Sequence, residues 1–301
     1  MKYINILCLF LIVFLTVSLF SCNVNNTKQG KLTITDDKGN SISFDKLPER
    51  IISLAPSITE TIYAIHADSL LVGVTKYCDY PADAKNKTII GGILDPNIEI
   101  ITKLNPDLIL LTSEGNSINT YKSLVNAGFK VFVSSPQNIE GIIKMINDYG
   151  VLTNRKHYSE KISDDISREK NYLDSINKQN KIIPDCLILV SVNPMITINK
   201  NVFINEVAEL AGYNNIFKNE LTDYPAINVE SVIFKDPEYI FVFSDTSNAN
   251  LCKEIKLELE KNIQFTKAVK NHKIYFLDEN LSSRPGPRVM RLVNNLKKFR
   301  Q

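Results

Sequence analysis

The sequence predicts an α/β protein of two similar lobes with parallel sheets, joined by one long helix. Three observations carry that prediction. The first is a repeat. Asn97–Leu111 (NIEIITKLNPDLILL) returns as Asn228–Val242 (NVESVIFKDPEYIFV), with Asn97, Glu99 and Pro106 matching Asn228, Glu230 and Pro237. One fixed offset of more than about 100 residues is no solenoid period and indicates two halves. The second is the alternation of short apolar runs with helical patterns in each half, which points to parallel sheets. The third is His157–Gln179, which has no Gly or Pro. Its Tyr158, Ile162, Ile166, Leu173 and Ile176 form one narrow apolar stripe at helical spacing. A helix of that kind suits a stiff strut across both halves better than a hinge loop.

The 301 residues suffice for two domains at roughly 150 each. An apolar share of 44% and a charged share of 23% are those of a globular chain with real cores. A net charge of +2 gives no electrostatic reason for a nucleic-acid partner. Residues 1–22 stand apart. Lys2 precedes the apolar run Ile4–Phe20, short for a membrane span and suited to the core of an export signal. It ends in Leu19-Phe20-Ser21-Cys22, which resembles a bacterial lipoprotein signal, with cleavage before Cys22 and lipidation of its thiol. Residues 23–31 read as a polar tether. Buried acyl methylenes, at about 0.8 kcal/mol each, would hold the body at a membrane surface. Beyond the signal, Cys78, Cys186 and Cys252 cannot all pair internally, and a Cys186–Cys252 disulfide is open. The three histidines are scattered, so a metal site built from clustered His is not expected.

Leu32–Phe44 alternates about Asp36–Asn40 and predicts a β-hairpin. Ile51–Leu54 is a strand. A helix follows, with Ser57 as its N-cap and Glu60 at capping-box distance. Ile58, Ile62 and Ile65 share one face of it. Leu70–Thr75 is a strand ending at Lys76–Pro81. In each repeat copy the Asn caps a short helix, the Glu falls in its first turn and the Pro ends it. Strands follow at Leu108–Leu111 and Tyr239–Phe243. Tyr121–Ala127 is a helix closed by Gly128, and Lys130–Val133 a further strand. In the second half Cys186–Val190 and Lys273–Leu277 are strands. Val202–Leu210, Leu251–Asn262 and Arg288–Phe299 are helices, the last with Val289, Leu292, Val293 and Leu296 inward. Each lobe is thus Rossmann-like. The implied boundaries are 32–153 for the N-terminal lobe, 154–182 for the backbone helix and 183–301 for the C-terminal lobe.

Ligands of open parallel sheets bind outside the carboxyl ends of strands. Loops at Pro56-Ser57, Lys76–Tyr80, Ser113–Asn116, Asn193-Pro194, Tyr224-Pro225 and Asn280–Arg284 fall there, from both halves, and would line one cleft. Tyr77, Tyr80 and Tyr224 are candidates for a flat wall against a large planar ligand. Ser57, Asn280, Leu281 and Ser283 belong to the same loops. Arg284 is a candidate cation for a carboxylate, phosphate or carboxamide, and Arg288 tethers loop to helix. Glu99 and Glu230, placed equivalently on two lobes, suit a partner with two equivalent basic sites. No nucleophile elbow, phosphate loop or dinucleotide fingerprint is present, and no enzyme activity is expected.

The lipoprotein-like Cys22, the run RIISLAPSITE from Arg50 to Glu60, VGVTKYCDYP from Val72 to Pro81, the two acid-bearing helices and SRPGPR from Ser283 to Arg288 resemble a known group. They are similar to the substrate-binding proteins of bacterial ABC importers with a helical backbone (class III), which carry vitamin B12, haem, ferric siderophores or metals. Within that family the tyrosine-rich segment and the Pro-Arg tail look most like the cobalamin-binding branch. The resemblance implies that Tyr77 contacts the corrin and that Asn280–Arg284 brackets it from the other lobe. It implies that Glu99 and Glu230 dock on arginines of a permease dimer served by ATPase subunits. It also implies a monomer, anchored through Cys22 in the periplasm or at the cell surface. Ile93, Thr112 and Tyr224 stand where that branch has Trp, and Ala211 where it has the first of a Cys pair. Haem or a ferric siderophore is the alternative cargo, with Tyr77 a possible iron ligand. Enzyme and permease-independent scavenger are the alternatives of another class.

Overall fold

The computed structural model describes residues 32–179 and 182–300. The expectations for residues 1–22, Cys22 and the tether lie outside the described residues. Strands β1 (Leu32–Thr35) and β2 (Ser41–Phe44) form the expected antiparallel hairpin. The first lobe then runs β3 (Ile51–Ser53), α1 (Pro56–Ala64), β4 (Leu71–Val74), α2 (Ile98–Leu104), β5 (Leu108–Thr112), α3 (Ile118–Asn126), β6 (Val131–Ser134) and α4 (Ile139–Leu152). Helix α5 (Lys156–Asn177) follows. The second lobe holds β7 (Asp185–Leu189), the small hairpin β8 (Ser191–Val192) and β9 (Met195–Ile196), then α6 (Phe203–Leu210) and β10 (Asn214–Asn215). It continues with α7 (Val229–Lys235), β11 (Tyr239–Ser244), α8 (Ala249–Asn262), α9 (Lys267–Lys270), β12 (Ile274–Asp278), α10 (Glu279–Ser282) and α11 (Val289–Lys298).

The two four-stranded sheets are parallel throughout, ordered β4-β3-β5-β6 and β10-β7-β11-β12. Taken within each lobe, both read second, first, third, fourth. The repeat found in sequence is the α2–β5 unit and its partner α7–β11. Asn97 and Asn228 cap the helices by accepting from Ile100 N–H and Ser231 N–H. Asn105 and Asp236 close them in the left-handed region, at φ 44° and 46°. The following prolines prevent continuation, so each chain turns straight into its third strand.

Strand residues alternate between two cores, as a sheet covered on both faces requires. Leu108 and Leu110 on β5, with Tyr239 and Phe241 on β11, face one cluster shared by both lobes. Ile109 and Leu111 face an outer cluster under α2 with Ile101. Ile240 and Val242 face its counterpart under α7 with Val232, the residue matching Ile101 in the repeat. The shared cluster also holds Tyr149, Ile166, Leu173, Val207 and Leu296, so α4, α5, α6 and α11 form a helical layer behind both sheets.

The stripe on α5 differs from its sequence reading. Ile166 and Leu173 are buried as expected, but Tyr158 and Ile176 are exposed and Ser159 and Ser163 are buried instead. The cause is Gly150 on α4. A Cβ there would collide with Ser159 Oγ, so the two helices approach more closely than large side chains allow. Ser163 Oγ donates to Asn147 Oδ1 at 3.0 Å across the same contact. Glu206 on α6 joins the halves. It accepts from Ile139 N–H at the start of α4 at 2.7 Å and lies 3.6 Å from Lys170 Nζ on α5. Helix α4 was not read from the sequence. The Ser57 cap is corrected: Ala55 is the N-cap of α1, without a side-chain bond, and Pro56 stands in its first turn. The Cys186–Cys252 disulfide that the sequence leaves open is not formed: Cys78, Cys186 and Cys252 are all free.

Candidate ligand-binding cleft

The carboxyl ends of both sheets point into one space between the lobes. A cavity of about 490 Å³ lies there, within the ordinary range for small-molecule sites. Every strand of the two sheets contributes to it, from the strand itself or from the segment that follows. Ser57 comes after β3, Tyr77 and Ile93 after β4, Glu114 after β5 and Pro136 after β6. From the other lobe come Val190 after β7, Tyr224 after β10, Phe243 on β11 and Asn280, Ser283 and Arg284 after β12. Thr112 and Phe243, both in the lining, are equivalent positions of the repeat.

Of the residues singled out in sequence, Ser57, Tyr77, Tyr224, Asn280, Ser283 and Arg284 meet at this cavity. Tyr77 and Tyr224 line the cavity and are 49% and 50% exposed. Burial, then the Glu114 charge, then that of Asp223 push the Tyr224 hydroxyl up to about 12. It is therefore a neutral donor near pH 7 and a poor phenolate. Two expectations are corrected. Tyr80 lies outside the lining, its ring under the Arg288 guanidinium at 4.0 Å, a cation–π contact. Leu281 faces the shared core on the back of α10, since a helical turn cannot send four consecutive side chains to one face.

Arg284 is corrected in role. Its side chain, 8% exposed, is already engaged. Nη1 donates to Glu60 Oε1 at 3.0 Å and to Asp79 Oδ1 at 2.7 Å, and Nη2 donates to Asn280 Oδ1 at 2.6 Å. Burial opposes its charge, but Asp79 and Glu60 outweigh that and hold its pKa above the usual value. Arg288 grips the same Glu60 twice, through Nε at 2.7 Å and Nη2 at 2.6 Å. Glu60, 2% exposed, thus holds two cations of the opposite lobe at the base of the cleft. In the sequence, Glu60 stands at capping-box distance from Ser57 and reads as a helix cap. Its partners lie 224 and 228 residues away, beyond any local pattern.

Glu99 and Glu230 sit in the first turns of α2 and α7, exposed, on the outer corners of the two lobes. Neither carboxylate has a hydrogen-bonding or ionic partner among the described residues. One turn on, Lys103 follows Glu99, whereas Phe234, 90% exposed, follows Glu230. No helix among the described residues is long and apolar enough to cross a membrane.

Two parallel α/β lobes braced by a long helix, with an open cleft at the strand ends, define a class III solute-binding protein. Residues 51–281 match the family model described as periplasmic binding protein, and the chain belongs to that family. A vitamin B12-binding protein of Vibrio cholerae is 29% identical over 249 residues, covering 82% of this chain and 87% of that protein. The crystal structure of a periplasmic vitamin B12-binding protein of the same organism superposes with TM-score 0.72 at 28% identity, over 84% of this chain and 96% of that one. A possible iron-binding, periplasmic solute-binding protein of Staphylococcus epidermidis matches with TM-score 0.72 at 27% identity, over 84% and 99% of the two chains.

Proposed function

We propose that this protein captures cobalamin or a related corrinoid in the inter-lobe cleft and delivers it to a dimeric ABC permease. One observation carries the reading. Two unpartnered carboxylates stand at equivalent corners of two lobes that share a single aromatic-rimmed cleft. A twofold receptor with paired cations fits that geometry, and rim charges of this kind govern orientation and on-rate more than affinity. Tyr77 and Tyr224 offer ring faces to a flat macrocycle. Asn280 and Ser283 supply polar contacts at its edge. Corrin side-chain amides find both donors and acceptors there. The likeness to vitamin B12-binding proteins supports the same cargo. Cys22 would carry the lipid that keeps a monomeric body at the membrane, with residues 23–31 as tether.

Haem or a ferric siderophore is the second reading, favoured by the likeness to the possible iron-binding protein of Staphylococcus epidermidis. Calorimetry and visible spectra with cobalamin, haemin and a ferric siderophore, each added separately, decide between them. A one-to-one heat with cobalamin alone supports the first reading. Silence with cobalamin and a shifted Soret band with haemin supports the second.

A further inference from the structure

The charges of the cleft are one-sided. Glu114 and Glu279 line it from opposite lobes, and neither side chain has an ionic or hydrogen-bonding partner among the described residues. Arg284 is the single cation in the lining, and Glu60 and Asp79 neutralise it. Asp223 adds a further negative charge beside Tyr224 at the rim. Burial first, then Asp223, raise the Glu114 pKa, while Lys38 works against them. Lys76 lies over the Tyr77 ring at 5.2 Å and not in the lining. The unneutralised charge facing a ligand is therefore acidic. In a cleft that excludes part of the water, such charges are screened less than on an open surface.

A carboxylate on the rim of a bound ring would meet Glu114 on one side and Glu279 on the other, with no free cation in the lining to receive it. An amide would donate N–H to either. A positive charge would gain from both. We infer that Glu114 and Glu279 set the ligand class: the cleft takes a large ring with amides or positive charge at its rim and rejects rim carboxylates. This rests on the large-ligand reading above and narrows it.

The test compares rings that differ in rim charge. Full-length protein in an uncharged detergent is titrated at pH 7 and low salt with cyanocobalamin, cobinamide and cobyrinic acid. Cobinamide bears amides and a net positive charge, and cobyrinic acid bears carboxylates on the same ring. Like-charge juxtaposition should weaken cobyrinic acid on the order of 100-fold relative to cobinamide. The double variant Glu114→Gln, Glu279→Gln should narrow the gap by about 10-fold or more. Raising salt should narrow the wild-type gap as well, which keeps the test valid if the variant folds poorly. Equal wild-type affinities, or a gap insensitive to both changes, overturn the inference. If all three corrinoids are silent, the corrinoid reading falls by itself. A water-soluble cationic porphyrin and a carboxylated one then decide the charge rule: preference for the cation upholds it, and preference for the carboxylate or for neither overturns it.

Discussion

Glu60→Gln should be the most damaging single change near the cleft. Glu60 is 2% exposed and accepts three charge-assisted bonds, one from Arg284 and two from Arg288, at 2.6 to 3.0 Å. Glutamine keeps the shape and one acceptor. It removes the negative charge and turns an amide donor toward a guanidinium. Of the two cations, 8% and 18% exposed, Arg284 then keeps only Asp79 and Arg288 keeps no carboxylate. Breaking a buried pair from one side costs about 3–5 kcal/mol. At about 2–4 °C per kcal/mol for a chain of this size, Tm falls by roughly 6–20 °C. Differential scanning calorimetry reads it. Arg288→Met in the same molecule removes one of the stranded cations, so the double variant should recover part of the loss, a coupling that a double-mutant cycle isolates. A Tm for Glu60→Gln within about 2 °C of wild type, or strict additivity with Arg288→Met, would refute the idea that this cluster ties the lobes together.

On the proposed function, Glu99→Ala with Glu230→Ala should abolish uptake by cells while leaving calorimetric ligand affinity unchanged; undiminished uptake would remove the docking role. Phe234→Ser should shift Tm by no more than about 2 °C, because a ring so exposed contributes little to folding; a larger loss means that the ring is packed. The folded pKa of Glu114 is raised, so its contribution to stability is fully present below its ordinary pKa and lost as pH rises through the raised value. Glu114→Gln should therefore match wild type in Tm near about pH 4 and exceed it by roughly 1–2 °C near pH 7, a small gain because the group is partly solvated. Burial pushes up the Cys78 and Cys186 thiols, whereas Cys252 is only partly covered. Mass spectrometry after brief alkylation of native protein should find Cys252 modified well before the other two.

What the sequence made legible was whatever repeats or alternates. The Asn-Glu-Pro recurrence located α2–β5 and α7–β11, and even the matched core residues Ile101 and Val232 follow from it. Tyr77 and Tyr224 could be placed at the cleft because a loop after a parallel strand has a known destination. Phe243 could have been found too, as the repeat partner of Thr112. The Glu60 cluster could not. Ser57 and Glu60 mimic a capping box, and nothing local separates that from an ion pair reaching across the molecule. The small-residue contact of α5 escaped for a related reason. Apolar spacing marks large side chains, and Ser159 and Ser163 are buried only because Gly150 lets the helices close.

Duplication alone therefore accounts for half of the molecule. Two sheets of one strand order, face to face at their carboxyl ends, make a cleft and two outer corners that carry the same acid. A chain of two identical lobes would still have both. The cleft acquires its character where the halves differ. Thr112 corresponds to Phe243, Lys103 to Phe234, and Arg284 and Arg288 come from one lobe only, to meet a glutamate of the other. Equivalent positions suit a twofold partner, which sees the same corner twice. A cargo sees both lobes at once and gains nothing from their equivalence. Selection for cargo should therefore act on residues that only one lobe sends into the lining, and the acids there, Glu114, whose repeat partner Asp245 lies outside the lining, and Glu279, are the ones to change when the ligand is to be changed.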